Sequence, residues 1–139
     1  MITVLFGQPH SGKTTLAKRL EADFYIDGDD LRSMFQNKDF SKEGRIKNLN
    51  RASDIATYLH YNGNDVVLSV VYPYKEAREY LNSLVPDVKW VFLEYNEERG
   101  REKFHVQDFE IPGEQEALFI DTTKLTIEQS INQIKLYVG

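Results

Sequence analysis

Apolar positions along this chain follow two rhythms. Ile2–Phe6 and Val66–Val71 are largely aliphatic runs interrupted only by Thr3 and Ser69, the pattern of strands buried on both faces and therefore of a parallel sheet. Phe24–Ile26, Trp90–Leu93 and Ala117–Ile120 read as shorter strands. Between them the spacing turns helical. Thr14–Ala22 would face inward with Leu16, Ala17 and Leu20, and Asp29–Phe35 forms a short helical segment. Lys42–Tyr61, with Ser41 as N-cap, carries Ile46, Leu49, Ile55, Ala56 and Leu59 on one stripe. Lys75–Leu84 is the next helix. The last opens on a capping box, Thr126 with Gln129, and should bury Ile127, Ile131, Ile134 and Val138. Strands that alternate with helices predict a single α/β domain of three layers over residues 1–139, with one long irregular stretch near 100–116.

Composition narrows the class. The 139 residues are 41% hydrophobic and 28% charged, and no apolar run reaches the roughly 18 to 20 residues of a membrane span. The opening "MITVLFGQ" lacks a basic leader and runs straight into a motif, so a cytoplasmic protein is expected. With no cysteine, disulfides and thiolate metal sites are excluded. A net charge of −5 argues against nucleic acid as a partner, while a small anionic substrate could still meet a local basic pocket.

The candidate chemistry begins at "GQPHSGKT", Gly7 to Thr14, which fits G-x-x-x-x-G-K-[ST] between a predicted strand and a predicted helix. Gly7 and Gly12 let the backbone curl so that N–H groups, Ser11's among them, point at phosphate oxygens. Lys13 would bridge the β- and γ-phosphates of ATP, Thr14 would place its hydroxyl on Mg²⁺, and Thr15 would support the α-phosphate. His10 is read as a spacer. No aliphatic strand ends in the D-x-x-G or N-K-x-D patterns of a GTPase, and the short chain favours a kinase.

"YIDGDDLRSMF", residues 25–35, then sets three carboxylates at the carboxyl end of a strand, the edge where ligands bind in α/β sheets. Asp27 and Asp29 would face the phosphates, one holding Mg²⁺ or its waters and the other accepting the proton of an attacking hydroxyl, with the two roles exchangeable. Asp30 is read as a solvated or capping residue.

The series "DGDDLR", "DFSKEGRIKNLNR" and "YPYKEAR", in this order after the phosphate loop and with the C-terminal "IDTTKLTIEQSI", resembles the adenylylsulfate (APS) kinases over nearly the whole chain. That resemblance implies a P-loop kinase fold with a five-stranded parallel sheet. It implies transfer of the γ-phosphate of ATP to the 3′-hydroxyl of adenosine 5′-phosphosulfate, giving PAPS. It also implies Asp27 and Asp29 as the paired aspartates, with Arg32, Arg45 and Asn48 on the substrate. Phe40 and Phe104 would sandwich the adenine, with Asp108 close behind, and a homodimer is left open. Arg45 and Asn48, three apart on a helix, share a face, and a guanidinium fork suits a phosphosulfate.

The chain departs from the family pattern in four places. Tyr72 stands where the family has the serine of S-P-Y, so no phosphoserine intermediate is expected. Asp30 and Asp39 replace an asparagine and a glycine. The lid, around 96–116, is short, with Arg99, Arg101 and Lys103 as its cations. Two alternatives stand beside the leading reading. One is a related kinase acting on another small-molecule, nucleoside or polynucleotide hydroxyl, and the other is a nucleotide-binding protein without turnover.

Overall fold

The computed structural model describes residues 1–9, 11–95 and 106–139. Their elements run β1 (Ile2–Phe6), α1 (Lys13–Ala17), β2 (Phe24–Asp27), α2 (Gly28–Phe35), α3 (Lys42–Tyr61), β3 (Val66–Ser69), α4 (Lys75–Leu84), β4 (Val88–Glu94), β5 (Leu118–Asp121) and α5 (Ile127–Val138). All four strand pairings are parallel, in the order β2-β3-β1-β4-β5. The sheet is the five-stranded one expected.

Side chains of β1 point alternately to the two faces, and each face meets its own apolar layer. Ile2, Val4 and Phe6 pack with residues of α2, α3 and α4, whereas Leu5 packs with α1 and α5 through Leu16, Ile131 and Ile134. Both layers are needed because β1 is buried along its whole length. Aromatic edges fill the first layer, Phe6 against Trp90 at 5.4 Å and Tyr72 against Trp90 at 5.2 Å.

Several element ends differ from expectation. Helix α1 stops at Ala17 because Arg19 and Leu20 donate to carbonyls three residues back, tightening the chain into turns. Strand β3 ends at Ser69, although Val70 N–H still donates to Leu5 O at 3.2 Å and Val71 O accepts from Gly7 N–H at 3.3 Å. Ile127 lies on the apolar stripe of α5 but is 44% exposed, since contact with the core begins at Ile131. The caps at Ser41 and Thr126 form as read, the latter with both bonds of its box. Because every strand runs the same way, the carboxyl ends of β1, β2 and β3 lie side by side. No helix among the described residues is long and apolar enough to cross a membrane.

Candidate active site

The loop after β1 is shaped by backbone. Gly7 has φ +151°, and a Cβ there would stand 2.5 Å from the carbonyl oxygen of Leu93, so any side chain would collide with the neighbouring strand. Gly12, at φ +98°, is the N-cap of α1. Ser11 is buried inside the turn, and its hydroxyl lies 3.5 Å from the Lys13 ammonium. That ammonium folds back over its own loop, donating to the carbonyls of Gln8 at 2.8 Å and Gly7 at 3.2 Å. Burial lowers its pKa to about 8, against the opposing pull of Asp29 and Asp27. A cation held half-desolvated on neutral carbonyls is poised for anionic oxygens. Thr14 and Thr15 are the next residues of α1, on the wall of the same cleft.

Asp27 ends β2 and does two things at once. Its Oδ1 accepts from the backbone N–H groups of Asp29 and Asp30 at 2.8 and 3.2 Å, capping α2. Its Oδ2 accepts from the Thr14 hydroxyl at 3.4 Å. Expectation had placed Asp29 across the end of the strand and a capping role at Asp30. In the structure Asp27 is the cap, and both others lie exposed in the first turn of α2, where their charge meets the positive end of the helix. Among the described residues no group of three or more carboxylates or histidines could hold a metal. A hydroxyl beside a carboxylate is nonetheless the donor set suited to Mg²⁺ carried in on phosphates, so Thr14 and Asp27 fit that ion.

A cleft of about 920 Å³ runs from this loop to α3, lined by Lys13, Thr14, Asp27 and Asp29 at one end and Arg32, Phe40, Arg45 and Asn48 at the other. Arg32 donates to the carbonyls of Asn37 and Asp39 and to the Asn37 side chain at 3.1–3.2 Å, and its guanidinium covers one face of Phe40 at 4.2 Å. Burial, then the adjacent Arg45 charge, lowers the Arg32 pKa. Phe40 itself is 63% exposed. Asn48 is buried and donates to the Gly28 carbonyl at 3.3 Å, tying α3 to the start of α2.

Three residues that the sequence did not single out support the cleft, two of them at this end. Asn37 accepts from Asp39 N–H and donates to Gly44 O at 2.9 and 3.0 Å, and Asp39 caps the next turn by accepting from Ser41 N–H. That bonding lowers the Asp39 pKa, so its charge serves the loop. Gly44 lets the loop settle on α3, since a Cβ there would meet Asp39 O at 2.3 Å. A glycine in the first turn of a helix was the available signal. The third, Gln8, lies at the other end in the phosphate loop, and its amide pairs with the peptide of Val106.

Tyr72, where the family serine would stand, points into the core. It is fully buried at φ +46°, its hydroxyl pairs with Ser53 at 2.6 Å, and burial raises its pKa. Asp108 accepts from the Tyr74 hydroxyl at 3.2 Å. His10, Phe104 and the lid cations Arg99, Arg101 and Lys103 lie outside the described residues.

The profile of the adenylylsulphate kinase family matches residues 1–103. A probable adenylyl-sulfate kinase of Aeropyrum pernix is 37% identical over 103 aligned positions, 68% of this chain and 56% of that protein, so the chain spans little more than half of that relative. An adenylyl-sulfate kinase of Staphylococcus epidermidis is 29% identical over 160 positions, covering 95% of this chain and 80% of the other. That alignment is longer than the 139 residues here, so the relative carries internal segments with no counterpart in this chain. Among solved structures, the Mycobacterium tuberculosis APS kinase CysC in complex with AMPPNP and APS superposes with a TM-score of 0.82 at 19% identity, over 99% of this chain and 96% of that one. At that identity the likeness is one of fold.

Proposed function

This chain belongs to the adenylylsulphate kinase family of ATP-dependent kinases, and we propose that it phosphorylates the 3′-hydroxyl of adenosine 5′-phosphosulfate with the γ-phosphate of ATP. The observation that carries the reading is the single cleft joining the phosphate loop to Arg32, Phe40, Arg45 and Asn48. ATP would lie with its phosphates on the N–H groups at the start of α1, from Gly12 to Thr15, where Lys13 exchanges loop carbonyls for phosphate oxygens. Thr14 and Asp27 would hold Mg²⁺, which when bound offsets charge on the β- and γ-phosphates.

The adenine of the acceptor would stack on the face of Phe40 that Arg32 leaves open, worth about 0.5–1.5 kcal/mol beyond burial. Arg45 and Asn48 would fix its phosphosulfate end, with Arg32 bracing the loop beneath. Their bonds support one division of labour between the acids. Asp27 is committed to the α2 cap and to Thr14, which leaves Asp29 as the group to accept the hydroxyl proton. The acceptor oxygen then bonds to the γ-phosphorus as the bond to ADP breaks, in line and without a covalent enzyme intermediate. Tyr72, packed in the core, offers no nucleophile in its place.

Purified protein with ATP, Mg²⁺ and adenosine 5′-phosphosulfate should yield PAPS and ADP in equal amounts. No PAPS at millimolar substrates would remove the assignment, and transfer to another alcohol under the same conditions would replace it with a kinase of different acceptor.

A further inference from the structure

Gln8 is the first variable position of the phosphate loop, where the motif accepts any residue. Here its side chain makes a matched pair of hydrogen bonds to one peptide group 98 residues away: Nε2 donates to Val106 O at 2.9 Å, and Oε1 accepts from Val106 N–H at 2.8 Å. Its backbone oxygen meanwhile accepts from Lys13 Nζ at 2.8 Å. One residue thus holds both the phosphate-binding ammonium and Val106.

Val106 is 5% exposed and lines the cleft with Val70, Val71 and Pro73. The segment that starts there is fastened at its other end to the chain after β3. Glu110 N–H donates to Pro73 O at 2.7 Å, and the buried Arg78 donates to both Tyr72 O and Glu110 O at 2.8 Å. Residues 106–110 therefore form a strap from the phosphate loop to the wall beside the acceptor end.

We propose that Gln8 is a positioning residue: its clamp on Val106 fixes the distance between the phosphate loop and the Val106–Pro73 wall, and so where an acceptor hydroxyl stands relative to the γ-phosphate. It touches neither reactant through its amide. This rests on the kinase reading for its catalytic consequence alone, because the clamp exists without ligands. Two bonds of ordinary net strength set its scale at about a tenfold effect.

The test uses Gln8→Ala and Gln8→Met, the second of which keeps the bulk and removes the amide. In both, the Val106 amide should lose its protection from hydrogen exchange, followed by NMR in nucleotide-free protein. The KM for adenosine 5′-phosphosulfate should rise about tenfold while the KM for ATP moves less than twofold. The ratio of ATP hydrolysis to transfer should rise as well, because a wall that is no longer held admits water. Unchanged Val106 protection would overturn the clamp. Equal rises in both KM values would overturn the positioning role, as would a Gln8→Met enzyme that matches wild type. Failure of the wild type to make PAPS would strike the proposed function instead, while Val106 protection would still decide the clamp.

Discussion

The two ends of the cleft are built on different principles. At the phosphate end the binding surface is backbone, bent by Gly7 and Gly12 and backed by a buried strand, so its shape is set by a few consecutive residues. At the acceptor end the surface is side chains drawn from α2, the 36–41 loop and α3, each held by another: Arg32 by Asn37, Phe40 by Arg32, the loop by Gly44. Under the proposed function, the surface for triphosphate is thus local in sequence, whereas the surface for the acceptor is drawn from several elements. Substitutions should separate the two ends cleanly.

The largest effect belongs to Lys13. Lys13→Ala removes the cation that, among the described residues of the loop, would meet the phosphates, and transfer should fall on the order of 10³-fold, read from the initial rate of ADP formation. Loss of less than tenfold would mean that another cation carries the charge. Next comes Gly7→Ala, where the new Cβ must push Leu93 O away from 2.5 Å. It should cost about 1–3 kcal/mol in chemical denaturation and weaken ATP binding, without altering the fluorescence of an acceptor analogue at the far end.

Arg32→Ala sharpens the other side of the comparison. Without its brace the Asn37–Phe40 loop loosens, and the KM for the acceptor should rise about tenfold with the KM for ATP unchanged, a shift of roughly 1.4 kcal/mol. Asp27, at the phosphate end, bonds Thr14 and also caps α2, and these two roles come apart by substitution. Asp27→Asn keeps a good cap for α2, so thermal stability should hold within about 0.5 kcal/mol while the Mg²⁺ requirement rises. Asp27→Ala should also lose about 1 kcal/mol of stability.

The smallest effect is protonic. Lys13 has its pKa depressed from 10.5 to about 8 by burial, so between these values the unfolded chain binds more protons than the folded one. Stability of the ligand-free protein should therefore rise with pH through that window as the penalty of a buried charge disappears. Phosphates reverse the shift by pairing with the ammonium, so ATP binding near pH 8.5 should take up a fraction of a proton. Calorimetry in buffers of differing ionisation enthalpy would detect it, and Lys13→Met should abolish it.

The same contrast explains what the sequence made legible. Aliphatic runs located the strands to within a few residues, and the glycines of the loop announced their own geometry, because both signals are short-range. Asp27 was found from its place at a strand end and Arg32, Phe40, Arg45 and Asn48 through motif order, and the structure brings all five to one cleft. Which of the acids caps α2 was not legible, since "DGDD" offers three carboxylates for one set of N–H groups and only the strand end at Asp27 decides. Asn37 and Gly44 escaped notice because their contacts gather around the irregular 36–41 loop, which has no periodic pattern, and Gln8 because its partner is set by the tertiary fold. Gln8 and Val106 are 98 residues apart, a separation at which no local pattern forms.

The position of the bound acceptor is the most direct test. A crystal structure with ADP, Mg²⁺ and adenosine 5′-phosphosulfate should place the adenine on the open face of Phe40 and the 3′-hydroxyl within hydrogen-bond reach of Asp29. Adenine bound away from Phe40, with Arg45 and Asn48 unengaged, would contradict it.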